Sequence, residues 1–409
     1  MGPLEGIKIV ELADFQTTGG DSVLAEMGAD VIKVEEPVRG DSLRGLSALH
    51  SSAMDIAGGR NITFETSNRS KRSITINLDS AEGKEVFYKL IDKADMFYTN
   101  YRDSVLHKLG ADYETLSKRN SKLIFGSITT FGPKGPWGER RGYDFQAQAT
   151  SGLMWAMGER DLQEPVLVYG SVCDQTVGTF LAFGLLAALL SRERHGGMGQ
   201  RVEVSMYGSM AYLQSTGINV TSFRNRPWAR HSRTRVREPL SNYYKCADGK
   251  WMLFCEMRGD EYWSRLAKAI GLEHLAEDPR FAVSAGRREN YIDVIKTLDE
   301  ALAKKTLSEW LDIFRDKGLD ADGFAYAPVH DYYDVLNDPQ ALANNYVVNF
   351  NHPTAGDIKL YGFPINFSVT PSKIKAAAPE HGQHTEEVLI EELGYSWEEM
   401  SKFRDNGII

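Results

Sequence analysis

The chain has 409 residues, with 47 lysines and arginines against 56 aspartates and glutamates, and therefore a formal net charge of -9 at pH 7. With 42% hydrophobic and 25% charged residues, its composition excludes a disordered or fibrous protein, and its length suggests two or three domains. The acidic balance disfavours a nucleic-acid protein that relies on its overall field. Cys173, Cys246 and Cys255 are too few and too scattered for a disulfide framework or a zinc site, which favours a reducing cytoplasm.

The first third of the chain alternates between strand and helix patterns. Strands are predicted at 7–12, 31–34, 95–98 and 123–128, and another follows Gly199. One helix is predicted to end at Gly28, and another begins after Asp79. Strands that alternate with helices predict a mostly parallel sheet with helices on its faces. The first residues show no charged-then-apolar leader, so we expect no secretion signal.

A longer apolar stretch runs from Thr176 to Leu190. It falls short of the ~20 apolar residues that a membrane span needs, so we expect no membrane contact. Because it is apolar nearly all round, it predicts a helix buried inside a domain. Arg192 and Arg194 suit the negative end of its dipole, and two glycines follow.

The composition changes near Thr221. Residues 224–237 contain six arginines and Trp228 but no acid, which is typical of an irregular connection. Residues 241–325 carry a strand pattern and amphipathic helices of their own. The sequence therefore predicts a large domain at 1–224 together with 329–409, and a smaller domain at 225–328.

Several common signatures are missing. There is no G-x-G-x-x-G after the first strand and no G-x-x-x-x-G-K-[ST], which disfavours nucleotide-dependent dehydrogenases and P-loop enzymes. His381 and His384 could form a weak metal pair, but no cysteine or acid stands at zinc-like spacing from them. We therefore expect no metal site.

The segment Gly170-Ser171-Val172-Cys173-Asp174 lies directly before the apolar helix. A carboxylate there sits at the positive end of the helix dipole, which favours its ionised form. Asp174 could simply cap the helix, since aspartate is a favoured cap. It could also act as a nucleophile toward an activated acyl group. Local sequence alone leaves both interpretations open.

A series of motifs follows in order from residue 4 to 395, among them GADVIKVE at 28–35, GPKGP at 132–136, GMGQ at 197–200 and GQHTEEVL at 382–389. Other members of the series are 4–12, 40–44, 68–73, 100–102 and 126–129. With Asp174 and its helix, this series resembles the class III CoA-transferases, the family of formyl-CoA and carnitine CoA-transferases.

The resemblance implies that Asp174 attacks an acyl-CoA thioester to give a mixed anhydride, and that CoA thiolate then forms an aspartyl-CoA thioester. A free carboxylic acid accepts the CoA by the reverse steps. Coenzyme A is a substrate in this scheme, and neither a metal nor an organic prosthetic group is required.

The resemblance also implies roles in coenzyme A binding. The residues and the parts of the ligand they would face are Gln16 and Thr17 (thiol end), Arg39 (nucleotide), Asn68, Arg69 and Ser70 (adenosine), Asn100, Tyr101 and Arg102 (pantetheine and diphosphate), Lys108 (a phosphate), and Arg141 and Tyr143 (a covering loop). Asp144 matches an acid near the nucleophile. The chain departs from the family pattern at Thr17-Thr18-Gly19-Gly20, where relatives often have Ala-Gly-Pro, and at 257–260, where some relatives have a glycine-rich lid.

The α-methylacyl-CoA racemases share this fold and are the alternative. They use a histidine directly before an aspartate, where this chain has Tyr143-Asp144, and tyrosine is a poor base at neutral pH. This difference favours the transferase.

Two further hypotheses concern other segments. The arginines at 224–237 could bind nucleic acid, or Arg233, Arg235 or Arg237 could hold the acid's carboxylate. If Met154, Trp155 and Met157 line the acyl pocket, a bulky apolar or aromatic acid is favoured over formate or oxalate.

The expected fold class is α/β, with a Rossmann-like large domain and a smaller α/β domain. The resemblance implies a homodimer of interlocked rings, and a tail that returns to the large domain allows it. We expect small-molecule acyl-CoA and carboxylic acid as partners, no nucleic acid, and a cytoplasmic location.

Overall fold

The computed structural model describes residues 1–15, 19–49 and 52–409. Along this part of the chain the strands are β1 (Lys8–Leu12), β2 (Asp30–Glu35), β3 (Ala48–Leu49), β4 (Ser52–Ala53), β5 (Asp55–Ile56), β6 (Arg60–Asn61), β7 (Arg72–Thr75), β8 (Met96–Thr99), β9 (Ile124–Thr129), β10 (Arg201–Ser205), β11 (Ser241–Lys245), β12 (Trp251–Cys255), β13 (Tyr326–Val329), β14 (Val347–His352) and β15 (Gly356–Tyr361).

The helices are α1 (Gly19–Glu26), α2 (Ile62–Asn68), α3 (Ala81–Lys93), α4 (Asp103–Leu109), α5 (Tyr113–Arg119), α6 (Asp144–Thr150), α7 (Leu153–Met157), α8 (Val172–Arg194), α9 (Met206–Leu213), α10 (Ser215–Arg224), α11 (Gly259–Ala269), α12 (Ser284–Glu289), α13 (Tyr291–Leu302), α14 (Leu307–Asp316), α15 (Leu319–Asp322), α16 (Tyr332–Asn337), α17 (Pro339–Ala343), α18 (Thr385–Glu387) and α19 (Trp397–Asp405). Short 3-10 turns lie at Ala57–Gly59 and Glu273–Leu275, and a π-helical turn lies at Val388–Glu392.

The chain divides into two compact units. The larger unit comprises Met1–Trp155, Val166–Trp228 and Pro339–Ile409. The smaller unit comprises Ala156–Pro165 and Ala229–Asp338. Each unit has its own hydrophobic core.

The larger unit is built on a six-stranded sheet in the order β10-β9-β8-β1-β2-β7, in which every neighbouring pair is parallel. This confirms the predicted α/β fold with a mostly parallel sheet. The strands at 8–12, 30–35, 96–99, 124–129 and 201–205 agree with the predicted ones to within two residues. Strand β7 was not predicted from the sequence.

Both faces of this sheet are covered, which explains why its strands are nearly continuous apolar runs. On one face, side chains of β1, β2, β8 and β9 pack against α3 and the C-terminal residues 388–409. On the other face, the alternate side chains of the same strands pack against α1, α8 and α9. In this core Val388, Leu389 and Met400 of the C-terminal segment are fully buried.

Helix α8 is longer than the apolar stretch predicted for it. By length and composition it could cross a membrane, which corrects the expectation that the segment is too short, although one such helix is weak evidence of a span. Its residues Val177, Leu181 and Leu185 are buried against the sheet, whereas Phe183 is 70% exposed. The helix is therefore buried along one side, and it is not buried all round within its unit.

A glycine allows α8 to lie close to the sheet. A Cβ atom at Gly126 of β9 would lie 2.9 Å from Cδ1 of Leu181 and 3.1 Å from Cδ2 of Leu185. Both leucines are fully buried, and burying one such side chain stabilises the fold by about 1.5–3 kcal/mol. This packing fixes the helix that carries Asp174 against the parallel sheet.

The smaller unit contains an antiparallel sheet in the order β11-β12-β13. Helices α11, α13 and α14 pack on it through buried Trp263, Leu298, Trp310 and Phe314. Its helices are strongly amphipathic, as the sequence pattern indicates.

Candidate active site

The order of the parallel sheet places a crevice at the carboxyl ends of β1 and β8. The chain winds in opposite directions from these two neighbouring strands, and ligands bind at such switch points in open α/β sheets. Asp14 follows β1 and Asn100 follows β8. The backbone N–H of Asp14 donates to Oδ1 of Asn100 at 3.1 Å, and Nδ2 of Asn100 donates to the Asp14 carbonyl at 2.7 Å. These two bonds tie the crevice loops together.

Helix α8 begins at this crevice after a left-handed turn. Gly170 has a φ of 104° and Ser171 has a φ of 57°. Glycine tolerates such a conformation, whereas for serine it is uncommon and costly. The turn directs the chain into the helix, and Asp174 follows as its third residue, with a partly buried side chain.

The cap of α8 comes from another helix. Asp144, the buried first residue of α6, accepts hydrogen bonds at Oδ2 from the backbone N–H groups of Cys173 at 2.6 Å and of Asp174 at 3.2 Å. Two of the unpaired N–H groups of the first turn are thereby satisfied, and a carboxylate faces the positive end of the dipole. The capping task that local sequence offered to Asp174 is carried out here by Asp144.

Gln148 supports this arrangement and was missed from the sequence. Its buried side chain donates from Nε2 to Oδ1 of Asp144 at 2.5 Å and to the carbonyl of Val168 at 2.7 Å, and its Oε1 accepts from the backbone N–H of Val168 at 3.0 Å. Gln148 thus connects the cap to the segment that leads into the Gly170 turn. The i, i+4 spacing of Asp144 and Gln148 on one helix is the signal that could have found it.

The thiol next to Asp174 is not available as a nucleophile. Burial raises the pKa of Cys173 far above its usual range, and the nearby carboxylates of Asp144 and Asp174 raise it further. Since the thiolate is the reactive form, Cys173 is inert at neutral pH. The carboxylate of Asp174 therefore remains the candidate nucleophile of this turn.

Three cavities follow one another along the crevice, and Asp14 lines all of them. The first, of about 660 Å³, is lined by Asp174, Asp144, Gly170, Ser171 and Asn100, together with several apolar side chains. The second, of about 370 Å³, is lined by Asn100, Tyr101, Arg102, Arg140, Arg141 and Tyr143, among others. The third, of about 230 Å³, is lined by Arg39 and Tyr101, among others.

The structure thus brings Asp174 and six of the predicted coenzyme A-binding residues to this crevice. Asn100 and Tyr143 line both larger cavities, so they border the cavity of Asp174 as well as the cationic one. Arg102, Arg141 and Arg39 supply positive charge, as a phosphate ligand requires. Burial raises the pKa of Tyr101 to about 12, with a contribution from Asp14, so its phenol remains neutral at physiological pH.

The predicted adenosine residues lie elsewhere in the larger unit. Asn68 is buried and accepts from Nζ of Lys71 at 3.1 Å. Arg69 is buried, pairs with Glu26, and its guanidinium lies 3.8 Å from the ring centre of Tyr361. Ser70 accepts from the backbone N–H of Lys375 at 2.8 Å. None of these three residues lines one of the three crevice cavities.

The remaining predicted binding residues are Lys108 and two residues of the first loop. Lys108 is exposed in the last turn of α4, with its Nζ 3.6 Å from Asp79, and lines none of the three cavities. Gln16 and Thr17, predicted near the thiol end, lie outside the described residues.

A buried ionic network behind the crevice was not predicted from the sequence. Nζ of Lys33 lies 2.9 Å from Glu11 and 2.8 Å from Asp41, and it donates to the Ala13 carbonyl at 2.9 Å. Burial alone would raise the pKa of Glu11, but Lys33 and Lys71 outweigh it and lower that pKa to about 2. The network holds both loops that flank Asp14, because Ala13 and Asp41 belong to them.

The remaining candidates have structural contacts of their own. Arg233 pairs with Asp299 at 2.8 Å and Arg235 lies 4.0 Å from Asp161, in each case within the smaller unit. Nε2 of His381 lies 3.0 Å from the Glu36 carbonyl.

The last candidates from the sequence are a second histidine and three apolar residues, and they lie apart from the crevice cavities. His384 accepts at Nδ1 from the backbone N–H of Ser73 at 3.2 Å. Met154, Trp155 and Met157 line none of the three crevice cavities, so these residues give no support for a bulky apolar or aromatic acid.

Comparison with known proteins gives a consistent result. The family model described as CoA-transferase family III matches residues 4–385. The chain is 32% identical over 408 residues to the (R)-2-hydroxy-4-methylpentanoate CoA-transferase of Clostridioides difficile, with 99% of each chain covered. It is 30% identical over 401 residues to the cinnamoyl-CoA:phenyllactate CoA-transferase of Clostridium sporogenes, covering 97% of this chain and 95% of that one. The crystal structure of a CAIB/BAIF family protein from Brucella suis matches with a TM-score of 0.83 and 29% identity, covering 95% of this chain and 99% of that one.

Proposed function

The chain belongs to CoA-transferase family III, and from that premise we propose that it moves coenzyme A from an acyl-CoA to a free carboxylic acid through covalent intermediates on Asp174. The observation that carries this proposal is the position of Asp174. It stands in the first turn of α8 and lines the 660 Å³ cavity, and Asp144 accepts from two backbone N–H groups of that turn.

The proposed cycle has four steps. An oxygen of Asp174 attacks the thioester carbonyl, the C–S bond breaks, and CoA thiolate leaves a mixed anhydride. The thiolate attacks the aspartyl carbonyl, releases the donor acid as its carboxylate, and forms the aspartyl-CoA thioester. The acceptor carboxylate then attacks this thioester, the C–S bond breaks, and CoA thiolate leaves a second mixed anhydride. The thiolate attacks the acyl carbon of the acceptor, which forms the new acyl-CoA and regenerates the carboxylate of Asp174. No proton is consumed, and one thioester is exchanged for another.

The chemistry suits the crevice. A thiol of pKa about 8.5 gives a thiolate that is both a tolerable leaving group and a strong nucleophile. We propose that Arg102 and Arg141 face the phosphates of CoA, because they line the cavity next to that of Asp174, and that Arg39 serves the same purpose in the third cavity. Guanidinium groups bind phosphate oxygens through paired hydrogen bonds.

We further propose that the protein acts as a homodimer, as interlocked rings. Support comes from the exposed apolar side chains on α8, α9 and α10, where Phe183 is 70%, Tyr212 68% and Phe223 92% exposed. A second copy of the chain would cover them. A cytoplasmic location likewise remains a proposal.

An isotope exchange assay tests the transferase proposal without knowledge of the natural pair. Each acyl-CoA is incubated with its own ¹³C-labelled free acid, and the label that enters the thioester is measured by mass spectrometry. We expect exchange by the wild type and a loss of roughly four orders of magnitude in Asp174→Asn, which removes the nucleophilic oxygen pair. An Asp174→Asn variant that exchanges at the wild-type rate would refute the proposal.

The racemase alternative predicts the incorporation of deuterium from solvent and no exchange of the ¹³C label. A racemase would incorporate deuterium from D₂O at the α-carbon of a 2-methylacyl-CoA in the absence of any free acid. The transferase proposal predicts no such incorporation, and exchange of label only when the acid is present.

A further inference from the structure

The cavity beside Asp174 differs in charge from its neighbour. The 370 Å³ cavity is lined by three arginines, Arg102, Arg140 and Arg141. The 660 Å³ cavity is lined by three carboxylates, those of Asp14, Asp144 and Asp174, and the residues described along it include no lysine, arginine or histidine. Among the described residues, positive charge therefore lines only the part of the crevice away from the reacting carboxylate.

The acids of this cavity already have partners. Asp14 accepts from the backbone N–H of Ser42 at 2.7 Å and from its hydroxyl at 2.9 Å. Asp144 accepts from the first turn of α8. Both carboxylates are held in place by these hydrogen bonds, so a second carboxylate on a ligand would meet other carboxylates and no described cation.

The rest of the wall is largely apolar. Leu49, Met54 and Ile62 line it, as does Met206. Phe145 also lines it, and its ring packs edge to face against Tyr169, with ring centres 5.6 Å apart. Such a wall favours an alkyl or aryl group, and binding gains roughly fourfold for each methylene buried.

We infer, on the basis of the proposed function, that the acid substrate is a monocarboxylate with a bulky apolar chain, and that dicarboxylates are disfavoured. The carboxylate of the acid substrate that takes part in the reaction is not repelled by Asp174. It approaches Asp174 only after that residue has become the aspartyl-CoA thioester and has lost its charge. A second, remote carboxylate keeps its charge throughout the cycle and finds no counterion among the described residues that line this cavity.

A matched pair of acids tests the inference. Hexanoate and adipate have the same chain length and differ by one terminal group, a methyl in place of a carboxylate. In the self-exchange assay we expect kcat/KM for hexanoyl-CoA with labelled hexanoate to exceed that for adipyl-CoA with labelled adipate by at least tenfold. Equal values, or a preference for adipate, would overturn the inference while leaving the transferase intact. If neither these pairs nor those of acetate and succinate exchange, the proposed function fails and the inference fails with it.

A charge-introducing variant provides a second test. Ile62 lines the cavity and is 44% exposed, so Ile62→Arg adds a cation there without burying it. We expect the hexanoate-to-adipate ratio to fall about tenfold in this variant. Ile292→Arg, at a 59% exposed position of the smaller unit, is the matched control and should leave the ratio unchanged. An unchanged ratio in Ile62→Arg, with the fold retained by circular dichroism, would count against the inference.

Discussion

The cap of α8 is the feature whose perturbation we can follow in most detail. Asp144→Asn keeps the size of the side chain but removes its charge and replaces one acceptor oxygen by an amide donor. In the native structure one oxygen accepts from two backbone N–H groups and the other accepts from Gln148. The single oxygen of an asparagine can accept either from the backbone N–H groups or from Gln148. Its NH₂ group would then face the other donor, which stays without an acceptor.

The magnitude follows from the hydrogen bonds that are lost. A hydrogen bond to a charged group contributes about 1.5–3 kcal/mol, and a buried donor without a partner costs a similar amount. We expect Asp144→Asn to lower the free energy of unfolding by about 2–3 kcal/mol. Asp174 lies in the turn that this cap holds, and a displacement of about 1 Å of a reacting group can cost about a hundredfold in rate. We therefore expect kcat for self-exchange to fall by roughly ten- to a hundredfold.

Urea denaturation and the exchange assay measure the two effects. Asp112→Asn is the matched control, because Asp112 is a buried cap of α5 that accepts from the backbone N–H of Thr115 at 3.0 Å and lines none of the three cavities. Asparagine caps helices about as well as aspartate, so this variant should unfold within about 1 kcal/mol of the wild type and retain its kcat. If Asp144→Asn behaves like Asp112→Asn in both assays, the capping argument is wrong.

Three further predictions concern the buried residues around the site. Lys33→Met removes the buried cation that pairs with both Glu11 and Asp41 and should cost about 3–5 kcal/mol at pH 7 in urea denaturation. Since the pKa of Glu11 is lowered to about 2 from 4.5, its contribution is present above about pH 4.5 and is lost as the pH falls toward 2. Lys33→Met should show a smaller loss over that window, and an equal loss would contradict the network. Gly126→Ala should lower the free energy of unfolding by about 1–3 kcal/mol, because the added Cβ meets α8; no change would show that the helix has room to move. Iodoacetamide should label exposed Cys255 in the native protein and spare Cys173, as read by peptide mass spectrometry; equal labelling would contradict the burial of Cys173.

The sheet could be predicted from the sequence because its strands are short apolar runs between turn signals. Strand β7 escaped this reasoning because Arg72-Ser73-Ile74-Thr75 contains a single aliphatic residue, and its place is set by parallel pairing with β2. Both β1 and β2 were predicted, but the role of the charged residues within them was not. Glu11 and Lys33 interrupt apolar runs, and only the neighbouring strands show that they pair with each other.

The residues of the site also differ in whether the sequence could predict them. Asp174 stands at a helix start, which the local sequence displays, whereas Asn100 was predicted from the family resemblance. The contact between Asp144 and the amide of Cys173 joins residues 29 positions apart, and no local signal indicates it. Gln148 carries no chemistry of its own, so its role became visible only from its three hydrogen bonds.

The covalent intermediate on Asp174 is the central claim, and peptide mass spectrometry of enzyme quenched during turnover tests it most directly. With hexanoyl-CoA present, we expect the peptide containing Asp174 to carry the mass of CoA less one water, and the adduct to disappear when a free acid is added. The same peptide from Asp174→Asn should remain unmodified. Turnover at the wild-type rate with the adduct on another residue, or with Asp174 unmodified throughout, would contradict the account.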